Sequence, residues 1–418
     1  MTKEIKVFGL SAEKGRWFFV IIGLFINLCL GSVYSWSIFR KPLEKLFNIT
    51  ATQSGLPYMF FLVFFALLMP VAGRFLDKYG PRTITMLGGA LVGLGWILAS
   101  FASNIYILTI SYGFIAGGGV GVAYGAPIAT STKWFPDKKG LAVGLTIIGF
   151  GLSPLITSPL SKILIDSYGP LNTFRILGIL FFIIIILLAI LIRFPSSEFS
   201  IDDKRLSSVS NFPVMELDSS DMVKTSTFYG LWSCYVIGTL SGLTAIGISC
   251  PVGEEIIKLN PAFSSIAVSV FAIFNGIGRP LFGWLTDRLT PRYSAIISFI
   301  IIILCSIGML NAGESKIVLY VLSFCGFWLC LGGWLAIAPT ATSIFFGTKH
   351  YSKNYGIVYT AYGVGAIFGC LISGEIRDIF GSYIYTFYPT AILAIIGIVI
   401  AIFLIKPVRQ TSNSFRKI

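Results

Sequence analysis

Between residues 179 and 192 the chain reads ILFFIIIILLAILI, fourteen apolar residues without a break. A run with no polar side is neither an amphipathic surface helix nor a half-buried strand. Apolar runs of around 20 residues can each cross a bilayer core of about 30 Å as a helix. A β-barrel would instead show segments of about ten residues with alternating polarity. The rest of the sequence follows the helical pattern. Of 418 residues, 55% are hydrophobic and 12% charged, against about 25% charged in ordinary soluble proteins. The expected fold class is therefore an all-α membrane protein.

Twelve spans are predicted. The first six cover roughly 17–39, 53–73, 83–102, 104–130, 140–161 and 173–193. The second six cover roughly 226–250, 262–285, 293–311, 316–345, 355–374 and 383–405. Residues 1–16 are charged and the first apolar run is too long for a signal-peptide core, so no cleavable signal is expected. The organisation expected is a six-helix bundle over 1–195, a Ser- and Asp-rich cytoplasmic linker over 196–225, and a second six-helix bundle over 226–418.

A formal charge of +13 raises nucleic-acid binding as a possibility to be tested. The bases do not form one patch. Of 31 Lys and Arg, 22 lie in the N-terminus, the even-numbered connections and the C-terminal tail, and 8 lie in the odd-numbered connections. This is the positive-inside asymmetry, which places both termini in the cytoplasm of a plasma or inner membrane. Nucleic acid is not an expected partner; membrane lipid is.

The seven cysteines fall in or at the ends of apolar spans and form no metal-ligand spacing, so they are expected to pack. His350, the one histidine, sits in a loop. No catalytic dyad, metal cluster or cofactor motif is present, and no enzymatic activity is expected. The glycines at 117, 118, 119, 121 and 125 lack the Gly-Lys-Ser/Thr ending of a phosphate loop and lie within an apolar span. Helix packing is their expected role.

The strongest organisational signal is a repeat. GRFLDKYGPR (73–82) follows span two, and GWLTDRLTPR (283–292) follows span eight. Both read Gly, three residues, Asp, a base, two residues, Pro-Arg. Six spans and six spans with matching loops is the pattern of a duplicated transporter. Gly73, Asp77, Arg82, Asp287 and Arg292 are candidate gating residues: the glycine for close helix approach, the acids and bases for a latch between halves.

Span eight, VFAIFNGIGRPLFGW (270–284), carries Arg279. An intramembrane arginine costs at least about 2.5–3.5 kcal/mol on insertion scales, so it suggests a use. A guanidinium suits a carboxylate, to which it donates two parallel hydrogen bonds. Asn275 lies one turn earlier on the same helical face, placed either to meet a ligand or to tie a neighbouring helix. Pro280 cannot donate to the carbonyl of Gly276, so a kink or hinge is expected there.

The 73–82 loop resembles the signature loop of the major facilitator superfamily. The set GSVYSWSIF (31–39), GGGVGVAYG (117–125), KWFPDKKGLAVG (133–144), FNGIGRP (274–280) and YSKNYGIVY (351–359) resembles the oxalate/formate antiporter family within it. That resemblance implies a secondary carboxylate transporter with twelve helices in two pseudo-symmetric halves, working by alternating access. It implies Arg279 as the carboxylate ligand and Tyr34 and Tyr124 as aromatic substrate contacts. Trp36 points elsewhere on its helix and is expected to pack. The oxalate-exchanging type has a lysine in span eleven; aligning NYG at 354–356 puts Tyr362 there. Leu331 and Leu335 stand where that type has aromatic residues. One cation without a second fits a monocarboxylate, such as formate, lactate or pyruvate, better than a dianion.

Proton-linked monocarboxylate carriers commonly have an Asp at the place of Asn275. All eighteen acids here fall in loops, tails or span ends, the nearest being Glu254, Glu255 and Glu375. Anion exchange or facilitated transport by a monomer is therefore expected. Proton symport through Glu254 or Glu255, oxalate/formate exchange and drug export on the same fold are the rivals. A drug exporter would be expected to carry an intramembrane carboxylate instead of an arginine. A receptor would need a signalling domain for which the linker and tails leave no room.

Overall fold

The computed structural model describes residues 6–195 and 216–407. The first part of the expected linker, 196–215, lies outside the described residues. Among the described residues ten helices are long and apolar enough to cross a membrane. Two of them are double. Ala51–Ala99 has 49 residues and is broken at Gly80, which has φ 78° and ψ 163°. Lys139–Leu191 has 53 residues and is broken at Gly169, with φ 78° and ψ 165°. At 1.5 Å per residue each is over 70 Å long, more than twice the bilayer core. Each supplies two spans, which gives the twelve expected.

The molecule is dressed for lipid. Phe101, Leu304, Val318 and Ile379 are each more than 60% exposed, while Asn275, Arg279, Arg40 and many serines and threonines are buried. In a bilayer the apolar surface faces outward and polar groups must find partners within the bundle. Many of these serines and threonines bond the carbonyl four residues earlier, as Thr130 does to Ala126 at 2.8 Å. Four of the five clustered glycines pack as expected, and Gly125, where a Cβ would meet nothing within 4 Å, does not. A Cβ on Gly117 would meet the carbonyl oxygen of Phe61 at 2.5 Å, and one on Gly119 would meet the amide of Val92 at 2.6 Å. The seven cysteines are free, six of them buried.

The repeat extends to the backbone. Gly80 before Pro81 and Thr290 before Pro291 take the same left-handed, extended conformation, Thr290 at φ 99° and ψ 156°. One face of the molecule gathers these two loops with the others rich in lysine and arginine, and is termed the basic face. The opposite face gathers the connections near 48, 256 and 381. The end of the linker is fastened to the second half. The amide of Leu217 donates to the Phe346 carbonyl at 3.0 Å, and Ser219 donates to Asn354 at 2.8 Å.

Candidate functional site: a buried arginine between the halves

Span one is not one helix. It runs α-helical over Trp17–Leu30, tightens into a 3-10 turn over Gly31–Ser35, and resumes over Trp36–Phe47. Gly31 permits this by lying against span five, where a Cβ would meet the Phe150 carbonyl at 2.2 Å. The turn sets Tyr34 at the centre of the bundle. Its hydroxyl lies 2.9 Å from that of Tyr362 in span eleven. Each half contributes one hydroxyl, so the two tyrosines bridge the interface.

Span eight, Pro261–Leu289, holds Arg279, which is 3% exposed. Its Nη1 donates to the carbonyl of Ile147 in span five of the other half at 2.8 Å. Its Nη2 reaches Asn275 Oδ1 only at 3.5 Å, and Nε is buried without a partner. Among the described residues no carboxylate pairs with Arg279. A guanidinium has five donors in a fixed fork; Ile147, Asn275 and the nearby Tyr124 hydroxyl engage part of this one, and Nε remains free.

Asn275 is also fully buried and donates to the Trp328 carbonyl of span ten at 3.0 Å. It ties two helices and turns its oxygen toward the arginine. Gly151 of span five makes room for both: a Cβ there would meet Asn275 Oδ1 at 2.6 Å and Arg279 Nε at 3.3 Å.

An aromatic cluster lies beside the guanidinium. The guanidinium carbon lies 6.0 Å from the centre of Phe150. Tyr34 packs edge-on against Phe150 at 5.1 Å and Tyr124 does so at 5.4 Å. Phe65 touches Tyr124, Phe150 and Tyr362, and Tyr359 stacks on Tyr362 at 5.2 Å. The structure thus brings together Arg279, Asn275, Tyr34, Tyr124 and Tyr362. It adds Phe65, Phe150, Gly151 and Tyr359, which the sequence did not single out. Trp36 packs against Tyr112 at 4.8 Å and donates to the Ser54 carbonyl at 3.1 Å, away from this cluster. Leu331 and Leu335 are buried in span ten.

The candidate gating residues stand apart from one another. Asp77 is 81% exposed at its side chain and pairs with Lys133 of its own half at 2.7 Å. Arg82 donates to the Ile190 carbonyl, also within its half. Asp287 is exposed. Arg292 lies over the neighbouring Tyr293 ring at 5.9 Å. A Cβ on Gly73 would meet nothing within 4 Å, so the close approach expected there is not made in this conformation. Span eight continues through Pro280 to Leu289 as one helix, and Pro280 faces outward.

Two matches decide the family. The family model described as Major Facilitator Superfamily matches residues 17–327 and 231–417. The oxalate:formate antiporter of Oxalobacter formigenes is 30% identical over 404 residues, covering 94% of each chain. The chain belongs to the major facilitator superfamily. Monocarboxylate transporter 13 of Rattus norvegicus is 25% identical over 338 residues, covering 78% of this chain and 74% of the relative. Among solved structures, a bacterial homolog of the human lysosomal transporter Spinster, inward-facing and occupied, superposes with a TM-score of 0.68. It is 14% identical and covers 93% of this chain and 96% of its own, so it speaks for the superfamily fold alone. As a member of this superfamily the chain is a multi-pass membrane transporter and not an enzyme.

Proposed function

We propose that the protein carries a small monocarboxylate across the membrane by alternating access, with Arg279 as the carboxylate ligand. The observation that carries this is the guanidinium itself: buried at the junction of the halves, facing no acid among the described residues, with Nε unpartnered. Unengaged donors in a dry site favour an incoming carboxylate, because an unpaired buried polar group costs about 1–3 kcal/mol, more when charged. Tyr34, Tyr124 and Tyr362 offer hydroxyls and ring faces to the rest of a small acid. Asn275 and Gly151 hold the arginine in place.

The anion class agrees with the names of the relatives, one an oxalate:formate antiporter and another a monocarboxylate transporter. The preference for one carboxylate rests on Tyr362, a neutral group where a second cation would serve a dianion. Neither Asn275 nor any other group around Arg279 is an acid, which favours exchange or facilitated transport over a proton relay at the site. The basic face is assigned to the cytoplasm by the positive-inside rule. The monomer is the working unit.

Proteoliposome counterflow with labelled formate, lactate, pyruvate and oxalate tests this reading. Arg279→Lys keeps the charge but loses the fork, and Arg279→Ala loses both. Each is expected to lower uptake by at least about 100-fold, as loss of a bidentate charged pair worth about 3 kcal/mol would. Normal uptake by the alanine variant sinks the assignment. Tyr362→Lys is expected to shift the oxalate-to-lactate preference toward oxalate by about tenfold, an added interaction of about 1.4 kcal/mol. An unchanged ratio counts against the missing-cation argument.

A further inference from the structure

Glu254 and Glu255 end the helix Ser226–Glu255, beyond the apolar stretch of span seven and on the opposite face. They are neighbours in sequence and differ in circumstance. Glu255 accepts a hydrogen bond from Arg377 at 2.7 Å. Glu254 has only a share of Lys41, the ammonium of which lies 3.5 Å from both acids. Lys41 belongs to the first half and both acids to the second, so this contact joins the halves. The Glu254 side chain is 18% exposed.

Beside Glu254 lies a cavity of about 330 Å³ lined by Lys41, Lys45, Lys162, Asp166 and Cys250 among others. The groups facing Glu254 can be followed element by element. Span one presents Lys41, with Lys45 across the cavity. Span five presents Lys162, which is itself paired with Asp166. The acid's own helix presents Cys250 and Glu255, and span ten presents Tyr320. Glu254 is therefore a half-buried carboxylate beside a second carboxylate, balanced by two lysines that are each shared with another acid, Lys41 with Glu255 and Lys162 with Asp166.

We propose that Glu254 is a proton-binding site that senses the pH of the opposite face, and that a proton on it holds this face closed. A half-buried carboxylate with incomplete compensation favours its neutral form. Burial pushes the Glu254 carboxyl above its usual range, with Lys41 pulling the other way. When the halves part at this face, Lys41 withdraws and water reaches Glu254, which becomes an ordinary carboxylate. The proton is thus held more tightly in the closed state, and by linkage it stabilises that state. The stabilisation grows as pH falls through the closed-state value and levels off below the open-state value. Glu255 is tied instead to Arg377 of its own half.

This role differs from a proton relay. Glu254 sits at the opposite-face end of the bundle, while Arg279 is 18 residues along span eight from its start at Pro261, about 27 Å along the axis. The proton is taken from the cavity and returned to the same side; no net proton crosses.

The inference rests on the transporter reading, and one experiment separates the two. In proteoliposomes, Cys250, buried beside Glu254, is alkylated by an impermeant maleimide applied to the opposite face at pH 7 and pH 5. Counterflow of formate, lactate and pyruvate is measured on the same samples. Dividing wild-type labelling by that of Glu254→Gln at each pH removes the thiol's own pH response. The ratio is expected to fall by at least about threefold at pH 5, as wild type closes and the permanently neutral variant does not respond. Glu254→Asp is expected to restore a falling ratio. Glu255→Gln is expected to raise labelling at both pH values and keep the slope. A flat wild-type ratio overturns the sensor even where counterflow is robust. Absent counterflow overturns the transport reading, while the labelling ratio still judges the sensor.

Discussion

The two faces of this protein are held by different kinds of contact. On the opposite face several polar contacts run from one half to the other. Buried Arg40 of span one donates to the Gly247 carbonyl of span seven at 3.3 Å. Asp378 at the end of span eleven accepts the amides of Ala51 and Thr52, the first residues of span two, at 2.9 Å each. Lys41 reaches Glu254 and Glu255. On the basic face the charged loops turn back on their own half: Asp77 to Lys133, Arg82 to Ile190, Arg16 to Asp137 at 2.6 Å. One face is closed by bonds between halves and the other has its latch residues disengaged. Alternating access requires the reverse arrangement in the partner state, so the difference identifies which bonds must break for the opposite face to open.

Arg40 gives the sharpest way to break that comparison. It is 2% exposed and also donates to Ser54 at 2.9 Å and to the Ala51 carbonyl. Of these hydrogen bonds only the one to Gly247 joins the halves, and the guanidinium also lies over the Tyr383 ring of the second half at 5.5 Å. Arg40→Gln removes that charge-assisted bond, worth about 1.5–3 kcal/mol. The open population of this face is then expected to rise by roughly 10- to 100-fold. Cys250 serves as the reporter, because it is buried while this face is shut. Unchanged alkylation in Arg40→Gln would show that the cross-half bonds do not hold the face.

Much of this arrangement was legible in the chain, and the remainder was hidden for physical reasons. The spans, the duplication and Arg279 were legible because lipid is an unforgiving solvent: twenty apolar residues or one misplaced charge stand out. Arg40 was not, since it falls at the edge of span one beside Lys41 and reads as one more loop base. Only the fold shows it buried, with Ser54 and the Ala51 carbonyl around it. Phe65 and Phe150 were hidden differently. The chain has 36 phenylalanines, and nothing in periodicity separates those that face a site from those that face lipid. Gly151 was hidden because its role is a distance: the approach of span five to Asn275. The proposed hinge at Pro280 was legible as chemistry but not as geometry, since the helix carries the proline on its outer side without ending.

The basic-face loops also differ from each other, and this sharpens the comparison on that side. Gly80 and Thr290 hold the same bend before a proline. At φ 99° and ψ 156° a threonine lies in a region that essentially only glycine occupies, at a cost of order 1–3 kcal/mol. Glycine's greater unfolded freedom returns about 0.5–1 kcal/mol of that. Thr290→Gly is thus expected to stabilise the protein by about 1 kcal/mol, read as a later thermal unfolding transition in detergent. A transition that moves earlier would show that Thr290 earns its place by a contact on this face.

The smallest effect is expected at Asp77, and its smallness is the point. Its pair with Lys133 is exposed and lies within one half; such pairs are worth about 0–1 kcal/mol. In the state closed at the opposite face this pair holds nothing between the halves. Asp77→Asn is therefore expected to leave Cys250 alkylation within about twofold of wild type or to lower it. Lowering would follow if Asp77 latches the halves only when the basic face is shut, because losing that latch favours the state seen here. The sign is what separates the faces: removing Arg40 opens the opposite face, and removing Asp77 does not. A rise in alkylation on Asp77→Asn comparable to that of Arg40→Gln would mean that the basic-face loops already bind the halves together in this state.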